Sequence, residues 1–312
     1  MECSANAWLE TRPGKLPGCV SRFSHFAAID WSGAAGERHR GIAVALCDEG
    51  PEAPRLIHAD RRWSRMEVLE WLAEALPDNT LVGLDLGISL PFADCGAFFP
   101  GWSESPATAR DLWALIEDIC LHDPHLSAST FVDHPQISRH FRRHGGREGD
   151  LFGDQVSRGG RGRLRATEQA QRLVGCNPYS NFNLVGAAQV GKSSLTGMRV
   201  LHRLAGTLPV WPVDPLPATG SAVVEIYTSI AAIHAGRRAG QTKLRSVEEL
   251  NAALTVLGSA QMNGSGPIDD HRSDALITAA WLRLVADRPQ FWAPAGLTPT
   301  LAMTEGWTFG AA

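Results

Sequence analysis

The chain has 312 residues, with 29 Lys and Arg against 33 Asp and Glu, a formal net charge of -4 and 44% hydrophobic residues. That balance excludes a wholly disordered chain, which needs low hydrophobicity and high net charge. It also excludes a protein that holds nucleic acid by bulk positive charge alone. The length fits one large α/β domain or two smaller ones.

Residues 1–22 carry Pro13, Gly14, Pro17 and Gly18 and little apolar periodicity, which predicts a disordered leader. It lacks a basic segment followed by an apolar run, so no signal peptide is expected. No apolar run reaches the ~18 residues of a membrane span. Six scattered cysteines without a CxxC pair suggest a reduced, cytoplasmic protein.

Order is expected from His25-Phe-Ala-Ala-Ile-Asp30, a short apolar run ending in a carboxylate. Gly41–Cys47 and Arg55–Asp60 follow after loop-like breaks, and three such runs predict an antiparallel meander. Ser64 and Glu67 form a capping box ahead of Met66, Leu69, Leu72 and Leu76, and Pro77 stops that helix. Thr80-Leu-Val-Gly-Leu-Asp85 is a buried-type strand, again ending in a carboxylate. As the second strand of a crossover unit it should lie parallel to an earlier one.

The middle of the chain reads as a long Arg/Gly-rich insertion over about 95–215. Helices are expected after Ser105-Pro106 and over Ser194–Leu204, and nine arginines lie between Arg139 and Arg172. A fifth strand, Ala222–Tyr227, precedes a short helix ending near Gly236. Ser246 and Glu249 cap the next helix, and a last clear helix runs from about Asp269 to Asp287.

Three acids sit inside otherwise apolar elements: Asp30, Asp85 and Asp274. A charged carboxylate beside a core is costly unless something pairs with it. Strand ends of an open α/β sheet are where ligand sites usually form. Carboxylates gathered there repel unless a divalent cation binds between them, and an all-oxygen set suits Mg2+ or Mn2+. Two such ions about 3.5–4 Å apart activate a water and stabilise the leaving oxygen of a phosphodiester. Asp270 shares a helix face with Asp274, Glu225 sits mid-strand, and both are further candidate ligands. His271, between the two helix acids, is a candidate base or supporting residue. The competing reading makes Asp30 and Asp85 turn formers and Asp269 and Asp270 helix caps.

The order of elements resembles the ribonuclease H-like fold. The tail Val224-Glu-Ile-Tyr227, Lys243 and Asp269-Asp-His-Arg-Ser-Asp-Ala-Leu276 is similar to the end of that superfamily's Holliday-junction resolvases. Ala28-Ile-Asp30-Trp-Ser-Gly33 and Gly83-Leu-Asp85 with Ser89-Leu-Pro91 resemble a bacterial and archaeal domain of unknown function described as a predicted RNase H-like nuclease. Arg165-Ala-Thr-Glu168, Asn181–Gly186 and Glu305-Gly-Trp307 are similar to the same group. The resemblance implies a mixed sheet, a three-strand antiparallel meander plus parallel strands, flanked by helices and interrupted by the long insertion. It implies a nuclease that hydrolyses DNA or RNA with two Mg2+ or Mn2+ ions. Its catalytic acids would be Asp30, Asp85 and Asp274, with Asp270 or Glu225 assisting. Lys243 would hold phosphates. Two departures are visible: the resolvases usually carry glutamate where Asp85 stands, and the small resolvases lack the middle segment.

The arginine-rich stretch offers Arg139, Arg142, Arg143 and Arg165 as candidate phosphate contacts; the alternative is a solvated loop. Gly186-Ala-Ala-Gln-Val-Gly191-Lys192-Ser193 matches the G-x-x-x-x-G-K-[ST] phosphate-binding pattern. That pattern needs a buried strand immediately before it, and Asn177–Val185 is largely polar, so coincidence is the preferred reading. Two other function classes stay open: a P-loop nucleotide-binding protein, and a non-catalytic binding module on the same fold.

Overall fold

The computed structural model describes residues 22–145, 147–152, 162–186 and 189–311. The expected leader, apart from Arg22, lies outside the described residues, as do Arg158 and Arg161.

In chain order the elements begin with β1 (His25–Asp30), β2 (Arg38–His39), β3 (Ala43–Asp48), β4 (Arg55–Leu56) and β5 (Trp63–Ser64). Helix α1 (Arg65–Glu70) runs into a π-helical turn over Trp71–Ala75, and β6 (Thr80–Asp85) follows. Then come α2 (Ala109–Ile119), α3 (Ser129–Asp133), the hairpin β7 (Arg142–Arg143) and β8 (Arg147–Glu148), α4 (Ala166–Leu173) and α5 (Val190–Arg203). The chain continues through β9 (Val210–Trp211), β10 (Ala222–Glu225), α6 (Thr228–His234), α7 (Val247–Val256) and α8 (Asp270–Val285). Two short helices, α9 (Pro289–Trp292) and α10 (Pro299–Thr304), complete it.

The fold is α/β, a mixed sheet flanked by helices, with strand order β4-β3-β1-β6-β10-β9. The β3 pairings with β1 and β4 are antiparallel; β6 is parallel to β1, and β10 is parallel to both β6 and β9. The crossover rule thus places β6 correctly. The expected third meander strand shortens to two residues, because the chain turns away at Ile57–His58, where His58 takes φ 50°. It returns as β5, which pairs antiparallel with β2 in a small two-stranded ladder the periodicity did not signal.

Both faces of the sheet are covered, which explains near-continuous apolar strands rather than simple alternation. The pleat sends Ala27, Ile29, Val82 and Leu84 to one face, against Leu112 and Trp113 of α2 and Leu195 and Met198 of α5. It sends Phe26, Ala28 and Leu81 to the other, against Leu276 and Ala280 of α8 and Ile230 of α6. Residues 95–215 therefore supply the two helices that cover one face. Among the described residues, no helix is long and apolar enough to cross a membrane.

The caps behave as their chemistry dictates. Ser64 Oγ accepts from the Glu67 N–H while the Glu67 carboxylate accepts from the Ser64 N–H. Asp269 accepts from the Arg272 N–H and so starts α8 where the acids begin.

Candidate active site at the ends of β1 and β6

Asp30 and Asp85 are the last residues of adjacent parallel strands and are in register with each other. They share pleat parity with Phe26, Ala28 and Leu81, so both face the α8 side. Helix α8 lies close over them because Gly83 has no side chain. A Cβ there would meet Ile226 Cγ2 at 2.7 Å and Leu282 Cδ1 at 3.0 Å. One turn into α8, Asp274 is 4% exposed and Asp30 is 6% exposed. Three acids distant in the chain thus meet on one face of the sheet.

Their partners are specific. Lys243, on the segment between α6 and α7, places Nζ 2.5 Å from Asp274 Oδ2. His271 Nδ1 lies 3.2 Å from Asp30 Oδ1. Asp85 accepts a hydrogen bond from the Thr228 N–H at the start of α6.

The electrostatics follow from burial. Burial raises the Asp85 carboxyl well above its ordinary value; the charges of Asp30 and Asp274 add to this, and Lys243 and the Thr228 bond oppose it. Burial also raises Asp30, offset by the His271 hydrogen bond. Asp274 is pushed up to about 6 by burial, against the pull of Lys243. Burial pulls Lys243 down, but the charge and hydrogen bond of Asp274 outweigh it and raise it. His271 is raised by its bond to Asp30. Asp270 is partly exposed, and its charge bears on both Asp274 and Lys243.

Among the described residues no three His, Cys, Asp or Glu side chains close into a ready-made metal cage. The donor chemistry nevertheless fits a hard divalent cation: the carboxylates of buried Asp30 and Asp274 and of half-buried Asp85, faced by the ammonium of Lys243 and the imidazole of His271.

Glu225 is not part of this group, which corrects the expectation that it serves as a ligand. It follows Val224, which packs on the α8 side, so the pleat turns it to the other face. Its carboxylate accepts from Arg165 Nη1 and Nη2, from the Ile88 N–H and from Thr308 Oγ1. Arg165 is likewise corrected as a substrate contact. It is 1% exposed, and its guanidinium is spent on Glu168 and Glu225. Arg139, Arg142 and Arg143 meet the acids Asp150, Glu148 and Asp133, none of which belongs to the acid group.

Sequence reasoning missed the capping role of Glu305. Its carboxylate accepts from the N–H groups of Phe92, Ala93 and Ala166, tying the chain after β6 to the start of α4.

The segment matching the phosphate-loop pattern starts at Gly186, with φ 79°; Ala187 and Ala188 lie outside the described residues. Lys192 and Ser193 fall in the first turn of α5. No strand immediately precedes Gly186; Asn183, three residues earlier, forms an isolated bridge to Arg142 rather than part of a strand. Lys192 Nζ lies 2.9 Å from His144 Nε2. A cavity of about 330 Å3 opens beside Asp85, walled by Trp31, Tyr179, Tyr227, Lys192 and Ser193, and the mutually bonded Arg165, Glu168 and Glu225 also line it.

Comparison with known proteins finds no matching family model, no similar curated protein and no similar solved structure.

Proposed function

We propose that this chain is a divalent-metal-dependent phosphodiesterase of ribonuclease H-like type that hydrolyses nucleic acid. The observation that carries it is the convergence of Asp30, Asp85 and Asp274, from two parallel strand ends and the last long helix, into one group in which three carboxylates face a single lysine and a histidine. Supporting it, an antiparallel meander (β1, β3, β4) continues into parallel strands (β6, β10), as the resemblance implies.

Asp30, Asp85 and Asp274 would hold Mg2+ or Mn2+, with Asp270 at the rim. When bound, two such ions supply an activated water and charge stabilisation for the departing 3′ oxygen. The chain's own groups do the rest. Lys243 neutralises Asp274 and places positive charge beside a phosphate. His271 orients Asp30 and stands ready to accept or hand on a proton at the half-exposed edge of the site. The test is cleavage of labelled single-stranded, duplex and branched DNA and RNA with Mn2+ or Mg2+. Activity must disappear in Asp30→Asn, Asp85→Asn and Asp274→Asn. Cleavage that survives all three substitutions, or no cleavage of any of these substrates by the unsubstituted protein, overturns it.

A second reading, nucleotide binding through Lys192, draws on one observation: Lys192 and Ser193 line the same cavity as Asp85. ATP binding that is lost on Lys192→Ala, without hydrolysis of any polymer, would favour it.

A further inference from the structure

A second cavity, of about 370 Å3, lies beside the acid group, between the β2–β5 ladder, the 57–62 loop and the first turn of α8. Four arginines line it, Arg40, Arg61, Arg62 and Arg272, beside a mainly apolar floor from β3 and β4. Two carboxylates share it, Asp60 and Asp269. Asp269 is already engaged, capping α8 and pairing with Arg272 Nε at 3.0 Å.

The side chains of Arg40 and Arg62 make no hydrogen bond or ion pair among the described residues, unlike Arg139, Arg142 and Arg143, each of which has an acid partner. Arg61 reaches Glu67 only at 3.6 Å, and Glu67 already holds Arg38 through two 3.0 Å bonds. The surface around these arginines is built rather than loose. Arg38 Nη1 donates to the Arg62 carbonyl at 2.9 Å, the Arg61 guanidinium stacks on Trp63, and the Arg61 N–H closes a turn onto His58. His39 is buried in the same wall at 3% exposure, its Nε2 without a hydrogen-bond partner among the described residues.

The cavity adjoins the acid group. Asp269 and Arg272 flank Asp270 and His271 in the first turn of α8, whose next turn carries Asp274. Gly41, next to Arg40, approaches so closely that a Cβ there would sit 3.3 Å from His271 Cε1. Two guanidinium groups without an acid partner among the described residues, Arg40 and Arg62, on a concave wall that Gly41 brings against His271, fit a polyanion that must cross the acid group. Arginine offers the forked donor geometry that phosphate oxygens accept.

We infer that this cavity grips the phosphodiester backbone of a nucleic-acid strand on one side of the acid group, with Arg40 and Arg62 as its principal phosphate contacts. The inference rests on the function proposed above and adds the substrate's track.

The experiment measures binding and cleavage separately. The full-length Asp30→Asn protein is titrated in Mg2+ buffer with fluorescent 20-nucleotide single-stranded and duplex DNA across a salt series. It is compared with the same protein carrying R40A and R62A. Losing two phosphate contacts should weaken binding at least tenfold at low salt. It should also flatten the slope of log Kd against log salt by roughly 1.4 for single strands and 1.8 for duplex. R40K with R62K should retain most of the slope, and R139A with R142A should leave binding unchanged. Unchanged melting midpoints check the folds, since Arg40 and Arg62 are exposed. Unchanged affinity and slope in R40A/R62A overturn the inference, even if the unsubstituted protein cleaves. Lost affinity and slope in a protein that cleaves nothing uphold the binding surface while overturning the nuclease assignment. Displacement of the oligonucleotide by inorganic phosphate, at an ionic strength where chloride fails to displace it, marks a small-anion site and overturns the polymer assignment.

Discussion

Asp30 and Asp85 are partners in register across the parallel β1–β6 ladder, so two carboxylates leave the same face of the sheet one strand apart. Neighbouring strands are about 4.8 Å apart, and like charges at that distance in a buried site each raise the other's pKa. Burial is the larger cause at both residues. The metal-free protein therefore carries a destabilising charge that a cation would relieve. Asp85→Asn should raise the metal-free melting midpoint at pH 7.5 by about 2 °C or more, since ~1 kcal/mol shifts a chain of this size by roughly that much. The same substitution should remove the midpoint rise that the unsubstituted protein shows on adding Mn2+. A lowered midpoint, or a rise with Mn2+ that survives, contradicts this account of the site.

Arg165 plays the opposite part, a buried cation between two buried acids. Its guanidinium donates to Glu168 and Glu225, and its Nη1 also donates to the Glu305 carbonyl. Burial raises the Glu168 carboxyl to about 7, against the pull of Arg165. Removing the arginine leaves two buried carboxylates without their counter-ion, which costs about 3–5 kcal/mol. Urea denaturation of Arg165→Met should show a loss of that size, with oligonucleotide affinity in the folded fraction unchanged. A loss of affinity without a loss of stability would instead make Arg165 a substrate contact.

Much of the site was legible in sequence because its acids end apolar runs. The strand ending at Asp30, the strand ending at Asp85 and the helix capped by Asp269 all form as local patterning dictates. Glu225 was misplaced because its residue type and strand were right, but facing depends on pleat parity. Arg165 was misplaced because its partners Glu225 and Glu305 lie 60 and 140 residues away, and an arginine in a run of arginines looks solvated. Arg40 and Arg62 passed unnoticed because the β2–β5 ladder they flank is two residues per strand and joins segments distant in the chain, so periodicity does not signal it.

Three histidines set an acid limit on stability. Burial lowers His39, His140 and His234 to about 4, and nearby arginines add to the effect in each. His234 Nδ1 accepts the Trp281 indole N–H at 2.8 Å, which requires that nitrogen to be unprotonated. A base whose folded pKa lies below its unfolded value of 6.5 is protonated preferentially in the unfolded state. Its stabilising contribution is therefore full above pH 6.5 and is lost as pH falls toward 4. Each shift is worth on the order of 1–3 kcal/mol. The buried acids Asp30, Asp85, Asp274 and Glu168 act oppositely over part of that range, so the histidines are best read individually. Nitrogen-detected NMR should show these three rings neutral at pH 5.5, when an exposed imidazole is mostly charged. An imidazolium signal from His234 at that pH would refute the assignment.

Gly33 joins the end of β1 to the start of α5. A Cβ at this position would stand 2.3 Å from the Lys192 carbonyl carbon and 2.4 Å from the Ser193 nitrogen, both rigid backbone atoms. Trp31, two residues earlier, donates its indole N–H to Thr196 Oγ1, so the same turn is held to the helix from both sides. Gly33→Ala must therefore push the segment after Asp30 away from α5, widening the cavity shared by Asp85, Lys192 and Ser193. Overpacking of this kind costs about 1–3 kcal/mol. Because the turn follows Asp30 directly, the displacement should also disturb the carboxylate group, lowering cleavage more than tenfold while the circular dichroism spectrum stays that of the folded protein. Gly36→Ala, at an open position in the same loop, has nothing within 4 Å to strike, though its φ of 101° adds strain. It should lower stability and leave the turnover of the folded protein intact. Equal effects of the two substitutions on turnover would mean that contact with α5 does not position the site.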